Sequence, residues 1–131
     1  MVMKQVAAFA ALAIASAASA MPQSFKVTGV VVGHDGQWRP DPHGQQTREA
    51  CARFRLTSVT AQRWFARSRE VSQHDWLEQL DWTQCFATGT LTTDTGRRYA
   101  WELDQSGRGR IVVTPSVSVY LAGRELPFAR R

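Results

Sequence analysis

Few residues in this chain have the type and spacing that chemistry requires. The densest polar group lies between Gly33 and Gln46, where His34, Asp35, Asp41 and His43 surround Trp38-Arg39. Imidazole with carboxylate suits zinc or a harder transition metal. Their spacing matches no established ligand motif, however, and a polar segment collects such residues for solvation alone. A serine hydrolase would show a nucleophile elbow, G-x-S-x-G, which is absent; a convergent arrangement through His34, His43 or His74 stays open. Asp75, Glu78, Asp81, Glu102 and Asp104 could supply a glycosidase pair. With 11 acids in the chain such a pair can always be drawn, so it carries no information. Gly107-Arg108-Gly109-Arg110 could cradle an anion with backbone N–H groups and guanidinium, but the strand–loop–helix setting of a phosphate loop is missing. A glycine hairpin turn explains the same residues. No catalytic residue, metal ligand or cofactor is therefore assigned from the sequence.

Binding residues are easier to nominate. Arg63 and Arg67 lie one turn apart on the polar side of a helical pattern. With Trp38 and Arg39 they could form an aromatic–basic patch. Such patches serve single-stranded nucleic acids and also protein hot spots, which favour Trp and Arg. The plainer alternative is a solvated helix face with Arg67 paired to Glu70 at i+3.

The N-terminus bears on the choice of partner. Lys4 precedes an unbroken apolar run, Val6–Ala15, and Ala18-Ser19-Ala20 follows with the small-x-small pattern of a cleavage site. The run falls well short of the roughly 20 residues a spanning helix needs. It reads as a signal peptide over 1–20, followed by one exported domain over 21–131. Position 21 is Met, which argues against a lipid-anchored cysteine. The expected location is the periplasm or the exterior, with no membrane span, and nucleic acid is then not the natural partner. In an oxidising compartment the only two cysteines, Cys51 and Cys85, are most simply a disulfide. There is no C-x-x-C or neighbouring His to suggest zinc, and a nucleophilic thiol would need one of them free beside a histidine. The net charge of +5 is carried almost wholly by arginine, interspersed with acids.

The elements that must position these residues read as follows. Phe25–Val32 is rich in β-branched residues and predicts a strand, with Phe25, Val27 and Val31 on one face and Gly29 marking either a bulge or a close backbone approach. Residues 33–46, with three Gly and two Pro, predict a loop. Glu49–Thr57 predicts a second strand. Ala61, Trp64, Phe65, Ser68 and Val71 then recur with helical spacing, predicting an amphipathic helix over about 58–72, capped by Thr57 or Ser58. Residues 74–81 predict irregular chain, although Ser72-x-x-Asp75 could cap a short helix.

From Trp82 to Val113 the pattern is a three-stranded meander. Cys85, Ala87, Gly89 and Leu91 share a face of its first strand, and Tyr99, Trp101 and Leu103 a face of its second. Trp101 is placed to cover Gly89. Turns fall at Asp94-Thr95-Gly96 and Ser106–Gly109. Val117, Val119 and Leu121 suggest a last strand, and the final segment from Glu125 a loosely held tail. The class is α+β: an antiparallel sheet of about five or six strands, one helix packed across it, and one disulfide.

Cys51-Ala-Arg-Phe54, Trp64-Phe65, Trp82-Thr-Gln-Cys85, Gly89-Thr-Leu91, Trp101-Glu-Leu103 and Gly107-x-Gly109 resemble a loose group of small uncharacterised exported proteins of Gram-negative bacteria, over about residues 50–113. The plan is similar to that of immunity and inhibitor proteins sent to the periplasm. That resemblance implies a non-enzymatic binding protein, an inhibitor or immunity-type partner of another exported protein, and carries no functional residue with it. Two alternatives stand beside it. One is a small periplasmic hydrolase using the His34–His43 segment. The other is a binder of an anionic small molecule or lipid in a sheet–helix cleft.

Overall fold

The computed structural model describes residues 26–128; the leader expected over 1–20, and Phe25, lie outside them. The order is β1 (Val27–Trp38), α1 (Arg48–Cys51), α2 (Ser58–Arg67), β2 (Arg69–Val71), α3 (Gln73–Glu78), β3 (Cys85–Thr93), β4 (Arg98–Asp104), β5 (Arg108–Thr114) and β6 (Val117–Ala122). The six strands form one sheet in the order β1-β3-β4-β5-β6-β2, with every pairing antiparallel. This is the expected α+β class, with α2 packed against the sheet. Among the described residues no helix is long and apolar enough to cross a membrane.

The meander forms as the alternation requires. Cys85, Ala87, Leu91, Trp101, Leu103 and Ile111 are all buried on its inner face. Gly89 pairs with Trp101 across β3 and β4. A Cβ on Gly89 would lie 2.0 Å from the Val31 carbonyl and 2.6 Å from the Trp101 ring, so only glycine fits. The Trp101 indole N–H donates to the Thr90 carbonyl at 2.9 Å. Gly96 (φ 83°) and Gly107 (φ 94°) supply the left-handed conformation that the two turns need. Gly109 belongs to β5 itself. A Cβ there would lie 2.7 Å from the Trp64 ring, and one on Gly123 would be equally close. The two glycines thus make room for the largest side chain of α2.

Several expectations are corrected. The loop foreseen over 33–46 does not begin at Gly33, because β1 continues to Trp38. Register shifts interrupt its pairing between Val27 and Gly29, Val32 and His34, and His34 and Gln37. Each bulge reverses the in–out alternation, so the stretch lacks the two-residue period by which strands are read. The first of these lies at Gly29, as expected. It also separates the faces: Val30 is buried, whereas Val31 is 59% exposed.

Glu49–Thr57 is not a strand. Thr47 caps a single helical turn by accepting from the Ala50 N–H at 3.0 Å, and that turn ends at Cys51. The amphipathic helix stops at Arg67, not near 72, and Arg69–Val71 pairs with β6 as the opposite edge of the sheet. Residues 73–78 are helical, not irregular, because the Ser72 hydroxyl accepts from the Asp75 N–H at 3.0 Å. The segment after β6 is not loose as far as residue 128. The Leu126 N–H donates to the Gln105 carbonyl at 2.9 Å, the Gln105 side-chain amide returns a bond to the Leu126 carbonyl, and Leu126 is buried.

The disulfide joins Cys51 to Cys85, both fully buried. It ties the end of α1 to the start of β3. Trp64, Phe65 and Trp101 stack edge to face, with ring centroids 5.2 and 5.4 Å apart. The helix also covers an edge of the sheet. The Ser58 hydroxyl accepts from the Val32 N–H at 3.1 Å, and the Gln62 amide donates to the Thr28 carbonyl at 3.3 Å. Side chains of α2 thereby occupy backbone groups that a second chain could otherwise pair with.

Candidate functional site

The four nominated binding residues fall into two unrelated settings. Trp38 and Arg39 are engaged in contacts within the fold. Trp38 pairs in register with Cys85 and packs against the core. Its indole N–H donates to the Gln46 carbonyl at 2.9 Å, and the Arg48 guanidinium lies over its ring. Arg39 leads off the end of β1, stacks 3.9 Å above the Phe86 ring and pairs with Glu102, which Arg110 also contacts. The segment between them and α1 is pinned by Gln84. Gln84 and Gln46 exchange side-chain-to-backbone bonds at 2.8 Å in both directions, and Arg39 and Gln84 bond through their backbones.

The polar residues of this segment are similarly occupied. The Asp35 carboxylate accepts from the Leu56 N–H and Arg55, and Asp41 accepts from the His43 N–H. Among the described residues no group of three or more His, Cys, Asp and Glu is placed to hold a metal.

Arg63 and Arg67 are different. Both are exposed on α2, and both face a cleft that the sequence did not reveal. The helix forms one wall. The chain leaving β6 forms the other, held there by the Trp64 indole N–H, which donates to the Arg124 carbonyl at 2.9 Å. The backbone crossing where the Gly123 N–H donates to the Gly107 carbonyl belongs to the same cleft. Its main chamber is about 500 Å³ and is lined by Arg67, Arg69 and Arg124, with Gln79, Asp81 and Ser106 across from them. A second, smaller slot of about 280 Å³ is lined by Arg63, Trp64 and Leu126. Arg67 and Arg124 line both spaces.

Four arginines thus surround one cleft. None of them takes part in an ion pair among the described residues, as is also true of Arg48, Arg53, Arg97 and Arg98, whereas Arg39, Arg55, Arg108 and Arg110 do. The expected pairing of Arg67 with Glu70 has no helix to support it, since Glu70 lies on β2. Burial holds the Glu70 carboxyl above its usual pKa. Two acids, Asp81 and Glu125, also line the cleft, leaving it with an excess of positive charge.

Arg67 sits in the last turn of α2, where the helix dipole favours a cation. Concave sites lined by one sign of charge concentrate the opposite ion. Guanidinium forks match carboxylate and phosphate oxygens in pairs.

Sequence reading found Arg63 and Arg67 from helical spacing. It missed Arg69, assigned to the helix, and Arg124, next to a tail read as loose. The apolar Leu126 and Phe128, just past Arg124, were the available sign that this tail docks.

No protein-family model, curated protein sequence or solved structure matches this chain.

Proposed function

We propose that this chain is an exported, non-enzymatic binding protein whose ligand presents an anionic group to the cleft between α2 and the segment after β6. The observation that carries the reading is the set of four arginines, Arg63, Arg67, Arg69 and Arg124, around one concavity without ion-pair partners. Arg48, Arg53, Arg97 and Arg98 also lack an ion pair among the described residues, so it is the shared concave setting that sets these four apart. Export is supported by the leader pattern before residue 21, and the buried Cys51–Cys85 bridge suits an oxidising compartment. The hydrolase alternative through the His34–His43 segment is less favoured here, since the Asp35 and Asp41 carboxylates beside those histidines accept from backbone N–H groups. Weight also moves from a flat patch for a partner protein towards a smaller ligand, because the arginines line a cleft of ligand-binding size.

Titration with inorganic pyrophosphate tests this by amide and arginine side-chain NMR. Shifts should cluster on residues 63–69 and 122–126 and saturate with one equivalent. Shifts spread evenly over exposed arginines, or centred on residues 39–46, would contradict the proposal.

A further inference from the structure

The cleft has two parts of different chemistry, and their junction says more about the ligand than either part alone. The main chamber is basic, with three arginines against the one acid Asp81, and its wall is mixed, including Leu80 and Ala122. The slot beside it is bounded by the Trp64 ring and Leu126, which are 5% and 6% exposed, and by the helix positions Thr60, Arg63 and Arg67. Long arginine side chains present methylene stems along such a surface and keep the guanidinium at its rim. Arg67 and Arg124 line both spaces, so the same two cationic residues serve the chamber and the slot. An inorganic anion would use only the chamber. A neutral apolar ligand would use only the slot and leave the arginines uncompensated.

We infer that the ligand is a single-chain anionic amphiphile, with its charged head between Arg67, Arg69 and Arg124 and its hydrocarbon tail in the slot against Trp64 and Leu126. The inference rests on the anion-binding reading above and adds the tail. The slot, at about 280 Å³, lies at the lower end of ligand-sized pockets and suits one chain and not two. The aromatic and aliphatic surface favours hydrocarbon by burial, and the basic rim selects against neutral lipids.

The test uses the protein as exported, with Cys51–Cys85 intact, and calorimetric titration with dodecyl phosphate below its micelle concentration. Inorganic phosphate and dodecanol are the comparison ligands. Dodecyl phosphate should bind with unit stoichiometry and at least about tenfold more tightly than either, the advantage over phosphate coming from burial of a few methylenes and that over dodecanol from the charged head. Thr60→Phe, which fills the slot from an exposed helix position, should remove the advantage over phosphate while leaving phosphate binding and the circular dichroism spectrum unchanged.

If phosphate binds as tightly as dodecyl phosphate, or Thr60→Phe has no effect, the tail inference fails and anion binding stands. If dodecanol matches dodecyl phosphate, charge plays no part, and both the inference and the anion reading fail. Binding of none of the three also overturns both.

Discussion

Gly89 and Asp104 show how single residues answer to their surroundings. Gly89 is held by two neighbours at once, a β1 carbonyl and the Trp101 ring, and neither can retreat without breaking a strand or exposing the core. Gly89→Ala should therefore cost about 2–3 kcal/mol, the upper part of the usual range for overpacking. A urea midpoint lowered at unchanged slope would show it.

Asp104 is a buried carboxylate at the β4–β5 turn. It accepts from the Ser106 hydroxyl, the Arg108 N–H and the Arg108 guanidinium. Burial nevertheless dominates and raises its pKa above the ordinary carboxylate value, against the lowering by Ser106 and Arg108. A carboxyl with a raised folded-state pKa binds its proton more tightly in the folded chain. Its contribution to stability is therefore fully present below the unfolded-state value and is lost as pH rises through the folded one. Wild type should lose stability relative to Asp104→Asn as pH rises from about 3 to about 6. A difference that is flat, or that runs the other way, across denaturant melts would refute this assignment.

At the scale of elements, two attachments hold the short helices. The disulfide fixes α1 to β3 across a sequence separation of 34, for which loop closure predicts about 3–4 kcal/mol. Replacing both cysteines by alanine should lower the unfolding free energy by that amount, and reduction should do the same. Helix α3 is fixed by Trp76. Its indole N–H donates to the Gly109 carbonyl at 2.8 Å, its ring meets Tyr120, and Arg108 lies 3.9 Å over it while donating to the Trp76 carbonyl. Trp76→Ala should cost about 3 kcal/mol and raise amide exchange over 73–78 first.

What could be read from the sequence follows from the same physics. The meander was legible because alternation, turn glycines and Gly89–Trp101 complementarity are local or nearly so. The disulfide was legible because only two cysteines exist. The far half of β1 was not, because two register shifts, between Val32 and His34 and between His34 and Gln37, break its period. Helix α1 was hidden because four residues carry no periodicity, and its cap, Thr47, is the only local mark. Half of the cleft was legible, since helical spacing exposes Arg63 and Arg67. The other half depends on where β2 and the chain after β6 return in space, which no spacing encodes.

For the whole molecule, the sheet, α2 and the docked C-terminal segment together frame the arginine cleft. Its cations neither support the core nor pair with acids, so removing them should barely affect folding. Arg67→Gln with Arg124→Gln should change stability by no more than about 0.5 kcal/mol in urea melts. That makes the pair suitable for the decisive comparison, which separates a built site from general basicity. Pyrophosphate affinity is measured at physiological ionic strength for wild type, for the Arg67→Gln/Arg124→Gln pair, and for Arg97→Gln/Arg98→Gln, two exposed arginines beside the β3–β4 turn with the same loss of charge. The account predicts that the cleft pair weakens binding by at least about tenfold and the control pair by less than about twofold. Equal weakening by both pairs would mean that net charge, and not the cleft, attracts the anion, and would contradict the central claim.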